Sequence, residues 1–258
     1  MELKGTVALV TGAAQGIGKA CVDYLLTEGV QVLIADINKS AGEATKKELA
    51  KKHGASNVEF IYCDVTNDES FEDSFREAVK KFGKLDLLIN NAGITNELMD
   101  DGRKEIIKTN FRAVVKGTYL GMKYMGKHEG KLGGTIVNIG STSSYITAPP
   151  ISVYSATKAA VNQFSRSIGT KSHYDRTGVR VICVNPGYTG TTTLPTIAKQ
   201  IDQSTKTNFL NEKIIQSVEN VGEGMITILK KAEPGSLWAI EDNVAPKRIE
   251  FEVVTHDN

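Results

Sequence analysis

Short apolar runs alternate with charged helical stretches along most of this chain. β-Branched, largely continuous apolar segments recur at Thr6–Val10, Gln31–Ala35, Val58–Tyr62, Leu85–Ile89, Thr135–Ile139 and Val179–Val184. A strand that is apolar at every position rather than at every second one is buried on both faces, as in a parallel sheet. The segments between them carry helical patterns. Ile17–Thr27 is amphipathic, Ser40–His53 and Glu69–Phe82 carry mixed charges on one face, and Glu105–Tyr124 reads as one further helix. The alternation predicts a βαβ series, hence a doubly wound α/β fold with a parallel sheet, right-handed crossovers and helices on both faces. No linker, repeat or low-complexity stretch breaks the series, so one domain is expected over residues 1–258. Two regions depart from the pattern. Gly187–Leu210 is Thr-rich and weakly periodic, as a mobile substrate loop over about 187–215 would be. The end, 236–258, reads as a strand at Leu237–Ile240 and a tail with a second extended run at Ile249–Val254.

Composition narrows the function classes. With 40% hydrophobic and 24% charged residues the chain has enough apolar material for a core and an ordinary soluble surface. A net charge of +1 argues against nucleic acid or another polyanion as partner. Lys46, Lys47, Lys51 and Lys52 are interrupted by Glu48 and read as a solvated helix face. No apolar run approaches the ~18 residues of a membrane span, and no secretory leader precedes the first strand, so a cytoplasmic protein is expected. Cys21, Cys63 and Cys183 are odd in number, far apart and set in apolar context, which suits free buried thiols in a reducing compartment. His53, His128, His173 and His256 are scattered without metal-ligand spacing, so no metal site is expected.

The chemistry is concentrated at the ends of the expected strands. Thr11–Gly18 (TGAAQGIG) follows a strand and opens a helix. Its glycines permit a tight turn and close backbone approach to a pyrophosphate, and the helix N-terminus offers free N–H groups and partial positive charge. Asp36 ends the next strand. A carboxylate there accepts from the ribose 2′-hydroxyl of NAD and repels the 2′-phosphate of NADP, which favours NAD, though Asp is also a common helix N-cap. Cys63-Asp64-Val65 ends the third strand, where Asp64 reads either as a partner for the adenine amino group or as a turn former. Asn90-Asn91-Ala92-Gly93 follows the fourth, on the edge where open α/β sheets bind ligands, or is simply a turn. Asn110 stands among Ile106, Ile107, Phe111 and Val114, and is either functional or bonded to backbone.

Ser141 ends the fifth strand, followed by hydroxyls on Thr142, Ser143 and Ser144. Downstream comes Tyr154-Ser155-Ala156-Thr157-Lys158. Four residues apart on a helix, Tyr154 and Lys158 share a face, and an ammonium there can lower the phenol's pKa and make it a base toward an alcohol. Ser141 would orient the substrate hydroxyl. It lacks the Gly-x-Ser-x-Gly elbow of acyl-transfer enzymes. A dinucleotide turn together with an alcohol base points to hydride transfer.

Thr11–Gly18, Asn90–Gly93, Asn110, Ser141, Tyr154–Lys158 and Asn185-Pro186-Gly187 together resemble the short-chain dehydrogenase/reductase family in its classical form, over nearly the whole chain. Within it, the glycine turn, Cys63–Val65 and Gly117–Gly121 look like the NAD-dependent 15-hydroxyprostaglandin dehydrogenases, while Val153–Val161 and Val184–Gly187 look equally like the insect-type alcohol dehydrogenases. The resemblance implies Tyr154 as general base, Lys158 lowering its pKa and bonding the nicotinamide ribose, Ser141 holding the reacting oxygen, and Asn110 anchoring a water in a proton relay through Lys158. It implies NAD contacts from Gly12, Gln15, Gly16, Ile17, Gly18, Asp36, Ile37, Cys63, Asp64, Val65, Asn91, Ala92, Gly93, Tyr154, Lys158, Pro186, Gly187, Thr189 and Thr191. Substrate would meet Ser141, Ile151, Tyr154 and Tyr188. The mammalian prostaglandin enzymes carry a glutamine three residues before the tyrosine, where this chain has Ile151, and Ile146–Val153 is mostly apolar. The implied substrate is a secondary alcohol, either apolar and lipid-like or small and aliphatic. A homodimer through the helices around Asn110 and Tyr154 is expected by the same resemblance. The alternatives are a carbonyl reductase or a non-catalytic dinucleotide-binding member.

Overall fold

A computed structural model describes residues 1–97, 100–191 and 214–250. Its eight strands form one sheet in the order β3-β2-β1-β4-β5-β6-β7-β8. The strands are β1 (Val7–Thr11), β2 (Gln31–Asp36), β3 (Val58–Tyr62), β4 (Leu87–Asn90), β5 (Gly134–Ile139), β6 (Val179–Pro186), β7 (Leu237–Ile240) and β8 (Lys247–Ile249). All neighbours pair in parallel except β7 and β8, which are antiparallel. The expected doubly wound α/β architecture is therefore present. Every expected strand through Leu237–Ile240 appears, with ends shifted by at most two residues. Of the expected run Ile249–Val254, Ile249 closes β8, whereas residues 251–258 lie outside the described residues, as do residues 192–213 of the expected substrate loop.

Alternate strand residues face opposite layers. Ala8, Val10, Val32 and Ile34 pack with α1 (Gly16–Thr27), α2 (Lys39–His53) and the late helix Val218–Lys231 through Cys21, Leu25, Leu49, Val221, Met225 and Leu229. On the other face Val7, Leu9, Leu33 and Leu88 meet α3 (Asp68–Phe82) through Phe71 and Phe75, and α5 (Ala113–Met125) through Leu120 and Met125. Helix α6 (Ser152–Ile168) covers the same face farther along, with Val161 against Cys183 of β6.

Local chemistry sets the helix ends. The Asn38 side chain caps α2 by accepting from Ala41 N–H, and Asn67 caps α3 by accepting from Glu69 and Ser70 N–H. Gly83 ends α3 at φ 84°, a left-handed position that suits glycine. The solvated reading of the lysine cluster also meets specific partners: Lys52 pairs with Asp23 at 2.8 Å and Lys46 pairs with Glu59.

The stretch expected as one helix over Glu105–Tyr124 is three pieces. Helix α4 (Asp100–Ile107) passes into a π-helical turn, Lys108–Arg112, before α5 begins. Asn110 is buried in that turn. Such turns are frequent at functional sites.

Phe75 is fully buried and stacks between Phe71 and Tyr124 at centroid distances of 5.5 and 5.3 Å. Phe75→Ala is expected to lower stability by about 3–5 kcal/mol, read as an earlier midpoint in urea unfolding with the slope unchanged.

Candidate active site

The chain turns back across the sheet between β1 and β4, and there the carboxyl ends of the strands leave a crevice. A cleft of about 680 Å³ occupies it. Almost every residue singled out from sequence lines this one cavity: the glycine turn after β1, Asp36 and Ile37 after β2, Cys63–Val65 after β3, Asn91–Gly93 after β4, Ser141 after β5, Tyr154 and Lys158 from α6, and Pro186–Thr189 with Thr191 after β6. Gly18 and Asn110 do not line it.

The glycine turn is held from below. Gly12 and Gly16 adopt φ 62° and 58°, which glycine takes without strain. A Cβ on Gly12 would stand 2.7 Å from the Ala92 Cα, so the strand-end segments touch backbone to backbone. Gly18 is a packing residue: a Cβ there would lie 2.5 Å from the Gly12 carbonyl oxygen and 2.6 Å from the Asn91 Nδ2. It lies beneath the turn rather than along the cleft wall. Asn91 Nδ2 donates to the carbonyls of Thr11 (2.8 Å) and Gly12 (2.9 Å), and the Thr11 hydroxyl accepts from the N–H groups of Asn91 and Ala92.

Asp36 is not the cap of α2, since Asn38 performs that role. Its carboxylate accepts from Ala14 N–H (2.9 Å) and Asn38 N–H (2.9 Å), bracing the glycine turn from the cleft rim. Ile37 beside it is 60% exposed, an unusual position for an isoleucine and a suitable edge for an apolar ring. Asp64 Oδ1 accepts from Thr66 N–H and its hydroxyl, so the turn-forming reading holds at that oxygen while the residue still faces the cleft. Cys63 is buried, and burial pushes its thiol up to about 12.

At the far end lie the groups expected to do chemistry. Lys158 is 3% exposed and donates from Nζ to the Ile139 carbonyl at 2.8 Å. Desolvation drives its ammonium down to about 8. Its Nζ stands 5.6 Å from the centroid of the Tyr154 ring. Burial pushes Tyr154 above its ordinary value, and a hydrogen bond from Ser141 draws it partly back. The ammonium donates to the Ile139 carbonyl.

Asn110 proves to be bonded to backbone. Its Oδ1 accepts from Ile94 N–H (2.9 Å) and its Nδ2 donates to Ile94 O (2.8 Å), so the amide clamps the backbone that follows Gly93. The π-helical turn delivers that side chain inward. Ser141 holds its place through its N–H, which donates to Asn185 Oδ1 at 2.9 Å.

Sequence reasoning missed several cleft residues, among them Ile94, Thr95, Glu105, Thr109 and Gly140. Ile94 and Thr95 directly follow a singled-out motif and could have been found by extending it; Glu105 and Thr109 carry no such signal. Nor does Glu97, whose carboxylate accepts from the N–H groups of Val153 (3.2 Å) and Tyr154 (2.6 Å) and so caps a helix 57 residues away. Ile151, 2% exposed, puts an apolar wall beside Tyr154, and Tyr188 faces the same space.

Comparison with known proteins agrees with this geometry. A family profile described as short chain dehydrogenase matches residues 6–202. The chain is 39% identical over 200 residues to "15-hydroxyprostaglandin dehydrogenase [NAD(+)]" of Macaca fascicularis, covering 78% of this chain and 74% of that protein. It is 34% identical over 196 residues to "3beta-hydroxysteroid dehydrogenase 2" of Eggerthella lenta, covering 73% of each. The crystal structure of levodione reductase superposes with a TM-score of 0.81 at 22% identity, covering 92% of this chain and 96% of that one, a likeness of fold.

The buried lysine has a measurable consequence. Its pKa is about 8 in the folded chain against about 10.4 in the unfolded one, so between those values the unfolded state binds more protons and stability rises with pH. The penalty of the buried charge is fully present below pH ~8 and relieved as pH approaches ~10.4. Lys158→Met is expected to flatten this rise, measured as unfolding midpoints from pH 7 to 10.

Proposed function

The chain belongs to the short-chain dehydrogenase family, and from that premise we propose that it oxidises a secondary alcohol to the ketone with NAD, Tyr154 acting as general base. The observation that carries the reading is the convergence of Tyr154, Ser141 and Lys158 on one end of a cleft whose other end is a glycine cradle. The cradle fits a dinucleotide. The turn is stripped of side chains where Gly12 meets Ala92, and α1 points its N-terminus at the cleft. Asp36 offers a carboxylate on the rim where a ribose hydroxyl would be met and a 2′-phosphate repelled. The name of the macaque relative, which specifies NAD(+), supports the same choice.

When bound, the nicotinamide supplies the hydride acceptor. The remaining work falls to this chain. Ser141 holds the substrate oxygen. Tyr154 Oη takes the hydroxyl proton as the carbon–hydrogen bond breaks. Lys158 fixes the floor of the site through the Ile139 carbonyl and keeps positive charge beside the phenol. Asn110 acts as a positioning residue by clamping Ile94. A single domain carries cofactor and substrate sites together. Ile151 and the half-exposed Ile94 favour an apolar secondary alcohol, lipid-like or small and aliphatic. Two relatives named for hydroxylated lipids support the lipid-like choice.

One observation favours a second direction. A phenol pushed up by burial is held protonated near neutral pH, which suits donation to a ketone oxygen in the reductive sense. In the oxidative sense the same shift makes turnover climb as pH rises. Phe111, Phe164 and the 55%-exposed Tyr119 form an aromatic face on the π-helical turn, α5 and α6, and a homodimer through that face is part of the proposal. The described helices include none long and apolar enough to cross a membrane, and three free, buried cysteines suit a reducing, cytoplasmic setting.

The test is NADH formation across secondary alcohols from short aliphatic to steroid and prostaglandin, with NADP in parallel. Tyr154→Phe is expected to abolish turnover with NADH binding retained; turnover near the parent's level would overturn the base assignment. Asp36→Asn, which keeps an acceptor for Ala14 N–H, is expected to narrow the NAD-over-NADP preference on the order of tenfold. An unchanged ratio of kcat/KM values would leave Asp36 as a brace alone.

A further inference from the structure

Ser141 is the terminus of a hydroxyl chain rather than an isolated side chain. The Ser143 hydroxyl donates to Ser141 Oγ at 3.0 Å, and the Ser143 backbone N–H donates to the same oxygen at 3.2 Å. Ser143 is 6% exposed and lines the cleft. Two donors fill the two lone pairs of a hydroxyl oxygen, so the only bond left for Ser141 to make is through its own proton. Ser141 and Tyr154 line the same end of the cleft and interact by a hydrogen bond that lowers the phenol, so this proton is available to the Tyr154 oxygen.

We propose that Ser143 is a positioning residue that commits the Ser141 proton to the oxygen shared by Tyr154 and the substrate. With Ser143 in place Ser141 is a donor only. A donor stabilises the phenolate, the form that serves as base in oxidation. Without the Ser143 hydroxyl, Ser141 Oγ regains a lone pair and its proton can turn away or be replaced by an accepted bond. This inference deepens the function proposed above and rests on Tyr154 being the base.

The other groups around Tyr154 do not substitute for this arrangement. Lys158 Nζ lies 5.6 Å over the ring and is engaged with the Ile139 carbonyl. Cys183 behind Lys158 is a buried thiol pushed up to about 12 and so is neutral. Tyr188 faces the phenol and opposes its ionisation. The Glu97 carboxylate sits on the Tyr154 backbone N–H at 2.6 Å, at the helix end rather than at the phenol. Ser141 is thus the hydrogen-bond donor that the described residues bring to the Tyr154 oxygen. The neighbouring Ser144 is engaged elsewhere. Its hydroxyl donates to the Ser141 carbonyl at 2.6 Å and accepts from Asn162 Nδ2 at 2.6 Å, which holds the loop and leaves Oγ untouched.

Two readouts on the full-length protein test the proposal, in the parent, Ser143→Ala, Ser143→Thr and Ser144→Ala. The first is the tyrosinate difference absorbance, with the signal of Tyr154→Phe subtracted to isolate Tyr154; it needs no turnover. The second is the pH dependence of kcat/KM for alcohol oxidation. Ser143→Ala is expected to raise the Tyr154 titration midpoint and the acid limb together by about half a pH unit, with the high-pH plateau retained. Ser143→Thr should restore both, and Ser144→Ala should move neither. A midpoint unmoved in Ser143→Ala, or a plateau lowered without any shift, overturns the proposal. A parent that titrates as expected but oxidises no alcohol overturns the functional reading and leaves the Ser143 inference standing on the first readout.

Discussion

One asparagine side chain joins the two halves of this protein where the chain reverses across its sheet. Asn91 Nδ2 reaches the carbonyls of both Thr11 and Gly12, and the Thr11 hydroxyl receives the N–H groups of Asn91 and Ala92. A parallel sheet must leave a crevice wherever successive crossovers diverge, and unpaired backbone groups at that crevice would be costly to bury. The Asn91–Thr11 exchange satisfies them. It also decides which residues can be glycine and which must be: Gly12 because Ala92 is backbone-close, Gly18 because the Gly12 carbonyl and Asn91 occupy the space of a side chain. The cradle is shaped by this joint before any ligand meets it.

The chemical end of the cleft rests on a different constraint, the scarcity of solvent. Lys158 is nearly inaccessible and its ammonium is weakened by burial, while the phenol of Tyr154 is pushed the opposite way. Burial therefore draws both groups toward their neutral forms. Local hydrogen bonds engage each group: Lys158 donates to the Ile139 carbonyl, and the Ser141 hydroxyl draws the phenol of Tyr154 partly back. The helix that carries both is seated by a remote carboxylate, Glu97, since its own N-terminal residue, Ile151, has no capping side chain. The segment after β4 thus lines the cleft and holds helix α6 at once.

Burial periodicity and strand-end motifs were legible without coordinates because they are local. The apolar runs marked all six early strands, and β7, within a residue or two, and the turn residues after them were assigned to one ligand-binding edge, where the structure gathers them. What was illegible depended on partners far away. Glu105–Tyr124 has an unbroken helical pattern, yet it opens into a π-helical turn at Lys108–Arg112, where Asn110 bonds the Ile94 backbone 16 residues away. Gly18 belongs to the same motif as Gly12 and Gly16, yet it packs inward because helix α1 rotates it away from the cleft.

The residues by themselves determined the α/β class, the order of strands and helices, the glycine turn, the carboxylate on its rim and the pairing of a tyrosine with a lysine four positions on. These follow from continuous apolar runs, from the 3.6-residue helical period and from side-chain chemistry, which any stretch of chain carries with it. Tertiary structure alone decided the charge state favoured at Tyr154, the brace between Asp36 and Ala14, the clamp of Asn110 on Ile94 and the feeding of Ser141 by Ser143. Each of these depends on desolvation or on a hydrogen bond whose partner is named by folding rather than by spacing.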